Sequence, residues 1–198
     1  MHINCAEIAR FLQPCIINVL APPAVSGFAH EPVLAEEVVA LLAPRDHGVY
    51  VDGTLGGAGH AARILAAAPG AHVVGVDRDP SALQASEIAL APFAGRARLV
   101  HGAFAELPRI LAEHGVARVD GIVLDLGVSS PQLDVAGRGF SFTRPGPLDM
   151  RMDPTRGATA LDVLRRTPVD ELADLIVTLG EERHAKKIAR QIKEALAA

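Results

Sequence analysis

The stretch that decides the fold is "YVDGTLGGAGHAARIL", residues 50–65, where an apolar run, a carboxylate, a glycine cluster and a helix-forming segment follow one another. A strand that runs straight into glycines and then a helix is typical of the first βαβ unit of nucleotide-binding α/β proteins. Gly57, Gly59 and Ala62 also satisfy the pattern G-x-G-x-x-A. Glycines serve simple tight turns as well, but at this place they let backbone approach a ligand, and the helix N-terminus offers N–H groups to an anion.

Four short apolar runs without polar alternation predict strands that are buried on both faces. Helix-forming segments separate them, and this alternation predicts an α/β fold with a parallel, Rossmann-like sheet in the order 3-2-1-4. The fourth run would then lie at an uncovered edge, which suggests an incomplete sheet. The runs are "GVYVD" (48–52), "HVVGVD" (72–77), "ARLVHG" (97–102) and "GIVLDLG" (121–127).

Helices are expected before and after this core. Residues 32–43 have apolar residues at helical spacing, with Pro32 suited to a first turn. Beyond residue 127, about 30 residues rich in Gly, Pro, Ser and Arg predict a functional loop or lid. Helices follow that loop. The first is predicted to be capped by Thr167 and stopped by Gly180, and the last covers 181–196 with one apolar stripe.

Composition excludes several classes of protein. The chain has 198 residues, 49% of them hydrophobic, and a net charge of −4, which argues against binding to nucleic acid through bulk charge. Cys5 and Cys15 have no metal-site spacing, so we expect no metal and a reducing, cytoplasmic environment. No apolar run reaches the roughly 18 residues of a membrane span, and we expect residues 1–29 to be a poorly ordered leader.

Two aspartates follow strands at the edge where open α/β sheets place their sites. Asp77 can accept both hydroxyls of a ribose, which indicates a nucleoside ligand, although it could instead cap the next helix. We favour Asp79 as the cap and Asp77 as the ligand. Phe104 could form an apolar wall beside an adenine or belong to the core. Asp125 could act in catalysis or cap a turn.

Several longer segments closely resemble the bacterial small-subunit ribosomal RNA cytosine-N4 methyltransferase family. The resemblance runs in order from residue 30 to about residue 193. "LDLGVSSPQLD" and "PLDMRMDP" are long enough to make chance agreement negligible. The other shared segments are "HEPVL" (30–34), "DGTLGGAGH" (52–60), "VDRDP" (76–80), "HGAF" (101–104), "RGFSF" (138–142) and "GEERHAKKIAR" (180–190).

The resemblance implies an S-adenosyl-L-methionine-dependent enzyme of the class I, Rossmann-like fold that methylates the exocyclic amine of a cytidine in the decoding region of 16S rRNA. Its partner would be the small ribosomal subunit, and whether it forms a homodimer is left open. The matching positions implicate seven residues in cofactor binding: Ala58, Gly59, His60, Asp77, Phe104, Asp125 and Gln132.

Cytosine N4 is a poor nucleophile, so an acceptor that bonds its hydrogens and holds it near the methyl group would help. Asp125 is our candidate for this catalytic role. Arginines could contact phosphates, and phenylalanines could stack on bases, in the loop after the fourth strand. An equal alternative is that the loop only packs over the cofactor. The candidate RNA-contacting residues are Arg138, Phe140, Phe142, Arg144 and Arg151.

Three parts are expected along the chain: the leader of residues 1–29, a cofactor-binding domain at 30–134, and an active-site loop with a partial helical insertion at 135–198. Family members continue further, so we expect a C-terminally truncated member that keeps much of the cofactor pocket but is inactive on ribosomal subunits. Two other functions stay open on the residues alone. They are an NAD-dependent Rossmann dehydrogenase, which shares the glycine pattern, and a helix-turn-helix nucleic-acid-binding module.

Overall fold

The computed structural model describes residues 32–197, so the predicted leader lies outside the described residues. Four strands form one parallel sheet in the order β3-β2-β1-β4, as predicted. Asp52, the last residue of β1, pairs with Gly75 on one side and Val123 on the other, and therefore lies in the middle of the sheet. The strands are β1 (Val49–Asp52), β2 (His72–Asp77), β3 (Ala97–His101) and β4 (Gly121–Val123).

Helices cover both faces of the sheet, which explains why the strands are apolar without alternation. Tyr50 of β1 belongs to the core cluster that includes Ile64 and Leu65. Its neighbour Val51 belongs to a second cluster with Ile110. The flanking helices are α1 (Ala35–Leu42), α2 (Gly59–Ala67), α3 (Pro80–Leu90) and α4 (Leu107–Glu113).

The end of the described chain is helical. Its core consists of Leu172 and Ala173 packed against Ala185 and Ala189, which belong to the predicted apolar stripe. Small alanines on that stripe let the two longest helices approach closely. The helices are α5 (Ser130–Asp134), α6 (Ala160–Arg166), α7 (Val169–Gly180) and α8 (Ala185–Ala197).

Three predicted helix boundaries are wrong. Helix α1 begins at Ala35 and not at Pro32, because Leu34 has a left-handed backbone with φ 51°. Thr167 is not the cap of α7: it ends α6, and its N–H donates to the Val163 carbonyl at 3.0 Å. Helix α7 ends at Gly180, as predicted. The residue after it, Glu181, has a left-handed backbone with φ 52°, and the last helix begins at Ala185 and not at residue 181.

The fourth strand is shorter than its apolar run. It ends at Val123, and within residues 32–197 it pairs only with β1. Its outer edge and the segment after it carry exposed apolar side chains, as the prediction of an uncovered edge requires. These side chains are Ile122 (47% exposed), Leu124 (39%), Leu126 (49%) and Val128 (44%).

Candidate functional site

The glycine loop, residues 53–58, lies across the carboxyl ends of three strands. Gly53 N–H donates to the Val123 carbonyl of β4 at 3.0 Å, and Leu55 N–H donates to the Val76 carbonyl of β2 at 3.1 Å. Gly56 and Ala58 have left-handed φ values of 51° and 64°. Ala58 occupies the N-cap of α2 and has no side-chain acceptor to offer, so a ligand can use the backbone N–H groups of that helix N-terminus.

Asp77 faces the glycine loop from the end of β2. Its Oδ2 accepts a hydrogen bond from Gly56 N–H at 2.7 Å, and its Oδ1 accepts one from Asp79 N–H at 2.8 Å. A carboxylate has about four acceptor sites, so two remain for a ligand. The side chain is only half-buried. This geometry is compatible with ribose recognition, which stays a prediction.

Gly59 and His60 contact the segment that precedes α1. A Cβ added at Gly59 would lie 2.9 Å from Pro32 Cγ. The buried His60 ring donates from Nε2 to the Val33 carbonyl at 2.9 Å. Any ligand contact at these two positions is therefore expected from backbone groups.

Phe104 and Asp125 both lie beside the glycine loop. A Cβ added at Gly53 would lie 3.3 Å from Phe104 Cβ, and the half-buried Phe104 ring packs on the cluster that contains Ile110. Asp125 N–H donates to Thr54 Oγ1 at 2.7 Å, and its carboxylate lies in an exposed position. The structure thus places both residues near the loop, and their roles stay predictions.

Gln132 and Arg138 converge on Asp79. Asp79 caps α3 as predicted, because its Oδ1 accepts from Ser81 N–H at 3.0 Å. Its Oδ2 accepts from Gln132 Nε2 at 3.3 Å and from Arg138 Nη1 at 2.5 Å. Burial opposes ionisation of Asp79, but the bonds from Ser81 and Arg138 outweigh it and lower the pKa of this carboxyl. Gln132 also accepts from Ser129 N–H, so both ends of its amide are engaged.

Some of the predicted RNA-contacting residues have side chains that bond or pack within the protein, and others have side chains exposed to solvent. Arg138 points inward, with a side chain 16% exposed. Arg151 forms two bonds with Asp149, at 2.8 and 2.7 Å, and the bond from this guanidinium lowers the pKa of Asp149 to about 2. Phe140 is half-buried, whereas Phe142 is 99% exposed. The exposed Arg144 donates from Nη1 to the Asp134 carbonyl at 2.6 Å.

Asp52 is a candidate that the motif analysis did not select. It is 1% exposed, and its Oδ1 accepts from Thr54 N–H at 3.2 Å. Its Oδ2 has no partner in good hydrogen-bond geometry in the described part of the chain, but the backbone N–H of Ala61 in α2 acts on the carboxyl and lowers its pKa. Burial raises the pKa of Asp52 from 3.8 to about 6, and the Thr54 amide offsets this only in part. The available signal was an aspartate that directly follows apolar strand residues and precedes the glycine cluster.

Residues 32–197 contain no group of three or more His, Cys, Asp and Glu side chains that could hold a metal ion. In the same range, no helix has the length and apolar character needed to cross a membrane.

Comparison with known proteins identifies the family. Residues 27–197 match the family described as the MraW methylase family. The chain belongs to this family. The ribosomal RNA small subunit methyltransferase H of Sorangium cellulosum is 53% identical over 174 residues, which are 88% of this chain and 55% of that protein. The protein of the same name from Thermobifida fusca is 51% identical over 167 residues, 83% of this chain and 51% of that protein.

The chain therefore spans about half the length of these curated relatives. An rRNA methylase structure from Streptococcus thermophilus is also similar, with 17% identity and a TM-score of 0.39 over 52% of this chain and 58% of that one. Membership of a methylase family favours neither of the two alternative functions, the NAD-dependent dehydrogenase and the helix-turn-helix module.

Proposed function

We propose that this chain provides the cofactor-binding part of an S-adenosyl-L-methionine-dependent methyltransferase that methylates N4 of a cytidine in the decoding region of 16S rRNA. Relatives named ribosomal RNA small subunit methyltransferase H support an rRNA substrate. The observation that carries the proposal is the position of Asp77, whose carboxylate meets the glycine loop through Gly56 N–H at 2.7 Å.

The residues at this edge of the sheet fit the parts of the cofactor. The half-buried Asp77 carboxylate has acceptor sites for the ribose hydroxyls. The α2 N-terminus, at Ala58–His60, can meet the methionine carboxylate with backbone N–H groups. Phe104, beside Gly53 of the loop, offers an apolar surface for the adenine. When bound, the cofactor would supply an electrophilic methyl group, whose carbon would bond to the cytosine N4 as its bond to the cationic sulfur breaks and leaves a neutral thioether.

Asp125 is the proposed acceptor for the hydrogens of the target amine. Its backbone is held to the glycine loop by the 2.7 Å bond from Asp125 N–H to Thr54 Oγ1. Its carboxylate is exposed where the strands end, so it can reach a substrate that enters from solvent. A cytidine would have to leave its stack to reach this position, as base-modifying enzymes generally require.

Contact with RNA is proposed for the exposed residues of the segment after α5. Phe142 presents a free aromatic face and Arg144 a guanidinium held at the surface. Helix α8 adds a cationic face with Lys186, Lys187 and Arg190 exposed opposite its buried alanines. The substrate proposed here, 16S rRNA in the small ribosomal subunit, would place the protein in the cytoplasm.

Calorimetry on this chain tests the cofactor. S-adenosylhomocysteine should bind with one-to-one stoichiometry, whereas NAD should not bind at the same concentrations. Binding of NAD but not of S-adenosylhomocysteine would contradict the proposal and support the dehydrogenase.

Methyl transfer tests the substrate. With the full-length relative from Sorangium cellulosum, small ribosomal subunits that lack the modification should accept tritium from labelled S-adenosylmethionine, and nucleoside mass spectrometry should find it in N4-methylcytidine, whereas this chain alone, which spans about half of that relative, is expected to transfer none. Subunits that already carry the modification are the control and should accept none. Label in any other nucleoside would contradict the proposed target atom.

A further inference from the structure

Ser86 is a fully buried residue in the middle of α3, and the partner of its hydroxyl lies in the glycine loop. The residue is 0% exposed, and its Oγ–H donates to the Gly56 carbonyl oxygen at 2.8 Å. Alanine is a better helix former than serine, and burial of a hydroxyl costs free energy unless a hydrogen bond compensates it. The bond to the loop, and not the helix, therefore explains a serine at this position of the core.

The peptide bond between Gly56 and Gly57 joins two residues that have no side chain to fix them. Gly56 has a left-handed backbone with φ 51°, and a Cβ added at the exposed Gly57 would have no atom within 4 Å. Such a glycine pair can reorient easily, because no Cβ limits its backbone dihedral angles. The Ser86 hydroxyl holds the carbonyl of this peptide and so opposes its rotation.

Helix α3 holds both oxygens of the Asp77 carboxylate, one directly and one through the glycine loop. Asp79 N–H, at the N-cap of α3, donates to Asp77 Oδ1 at 2.8 Å. Gly56 N–H donates to Asp77 Oδ2 at 2.7 Å, and the carbonyl of Gly56 accepts from Ser86. Asp79 and Ser86 are separated by about two helical turns, so they lie on the same side of α3. One rigid helix therefore sets the direction of the carboxylate.

We infer that Ser86 is a positioning residue for cofactor binding, whose hydroxyl fixes the glycine loop so that the Asp77 carboxylate is already oriented for the ribose in the free protein. This inference rests on the proposed function and adds a residue that acts without contact with the ligand. Without the hydroxyl, the loop would adopt other orientations in part of the molecules, and binding would have to order it. Such ordering lowers the affinity for the ligand.

Calorimetry with S-adenosylhomocysteine compares Ser86→Ala with a matched control. Ser86→Ala should bind this ligand about threefold to tenfold more weakly, the effect of one neutral hydrogen bond. Asp46→Ala also removes one bond between a side chain and the backbone, from Gly70 N–H at 2.6 Å. Gly70 precedes β2, so this bond lies at the opposite edge of the sheet, and its loss should leave the affinity unchanged.

Hydrogen exchange measured by NMR reports the state of the loop without a ligand. In the unsubstituted chain, the Gly56 amide should exchange about tenfold more slowly than the exposed Gly57 amide, because Gly56 N–H is bonded to Asp77. Ser86→Ala should remove most of this difference, and Asp46→Ala should keep it. Equal exchange of the two glycines in the unsubstituted chain would overturn the inference, whether or not any variant folds.

A double-mutant cycle determines whether Ser86 acts through Asp77. If it does, Ser86→Ala should weaken binding of S-adenosylhomocysteine by less than about twofold once Asp77→Asn is present, because the oriented carboxylate is already lost. A loss as large as in the unsubstituted background would show that Ser86 acts on another part of the site, and the inference would be wrong.

The outcomes separate this inference from the proposed function. If S-adenosylhomocysteine does not bind the unsubstituted chain, both fail. If it binds, and Ser86→Ala binds it equally well, only the inference fails. Equal weakening by Ser86→Ala and Asp46→Ala would also contradict the inference, because that result assigns the loss of affinity to a less stable fold.

Discussion

Arg138 and Asp79, which are 59 residues apart, form an ion pair with 2.5 Å between Arg138 Nη1 and Asp79 Oδ2. Arg138 Nη2 also donates to the carbonyls of Arg151 and Met152, at 3.0 and 2.9 Å. The end of β2 and two parts of the loop beyond β4 are thus held together by one guanidinium. The loop is therefore anchored over the strand tips that form the candidate site.

Substitution of Arg138 by alanine should destabilise the fold. Asp79 is 4% exposed, and loss of its cationic partner would leave a buried negative charge with weaker compensation. We expect the free energy of unfolding to fall by about 3 kcal/mol at pH 7, as measured by urea denaturation. Arg144→Ala is the matched control because that side chain is exposed, and it should cost less than about 1 kcal/mol.

The cost of Arg138→Ala should also depend on pH. The pKa of Asp79 is lowered in the folded state, so its stabilising contribution is complete above the ordinary value of 3.8 and is lost as pH falls through the folded value. The difference between the two proteins should therefore narrow below about pH 4. A difference that stays constant from pH 7 to pH 3 would show that Arg138 acts through packing.

Asp52→Asn should stabilise the protein at neutral and alkaline pH. The folded-state pKa of Asp52 is raised from 3.8 to about 6, so ionisation destabilises the fold progressively between these two values. The full penalty, roughly 3 kcal/mol, is present above pH 6 and absent below about pH 4.

Urea denaturation at pH 4, 6 and 8 measures this effect. The gain from Asp52→Asn should be absent at pH 4, partial at pH 6 and largest at pH 8. Glu113→Gln, at an exposed carboxylate, should show no such trend. If Asp52→Asn is less stable than the unsubstituted chain at pH 8, ionised Asp52 stabilises the fold and the prediction is wrong.

The sequence predicted the sheet because its signals are local. Each parallel strand is buried on both faces and therefore stands out as an apolar run. The alternation with helices predicts a parallel sheet, and the order 3-2-1-4 is that of the doubly wound nucleotide-binding fold. The cap at Asp79 was predictable for the same reason, since its partner Ser81 is two residues away.

The surroundings of the Arg138 and Asp52 side chains could not be predicted from local signals. An arginine in a glycine-rich loop favours RNA contact by composition, but its partner Asp79 is brought to it only by the fold. The burial of Asp52 Oδ2 depends on the packing of β2, β4 and α2 around it. The left-handed residue after α7 is likewise Glu181 and not a glycine, which is the residue that usually takes this position.

Asp77→Asn should weaken binding of S-adenosylhomocysteine about tenfold to a hundredfold, since a neutral amide replaces a charged acceptor for the ribose hydroxyls. Calorimetry at pH 8 measures this loss of affinity. Asp46→Asn is the matched control, because Asp46 also accepts a backbone bond, from Gly70 N–H at 2.6 Å, but lies in a different turn. Less than a twofold loss for Asp77→Asn would contradict the assignment of the ribose to this carboxylate.

Substitution by alanine should change the stability of the fold by different amounts at two glycines of the glycine loop and the start of α2. A Cβ at Gly59 would lie 2.9 to 3.1 Å from three atoms of Pro32, so Gly59→Ala must displace the segment that His60 also binds. We expect a loss of about 1–3 kcal/mol in the free energy of unfolding. Gly57→Ala has open space around the new Cβ and should change stability by less than about 0.5 kcal/mol. Equal effects at the two positions would contradict the packing of Pro32 on α2.

Phe142→Ala should weaken RNA binding without destabilising the fold. The ring is 99% exposed, so its removal takes no packing from the core. Stacking of a base on an aromatic ring contributes about 1–3 kcal/mol, which corresponds to a loss in affinity of roughly 5-fold to 150-fold for a cytidine-containing single strand. Fluorescence anisotropy measures this loss. Leu41→Ala, at an 86% exposed apolar residue of α1, is the matched control and should leave RNA affinity unchanged.

The salt dependence separates stacking from charge at the same surface. Phe142→Ala should leave the slope of log affinity against log salt unchanged, because a phenyl ring releases no counterions. Arg144→Ala should reduce the magnitude of that slope by about 0.7, the contribution of one phosphate contact on a single strand. If both variants bind RNA as the unsubstituted chain does, this segment does not contact RNA, and the alternative that it only packs over the cofactor is favoured.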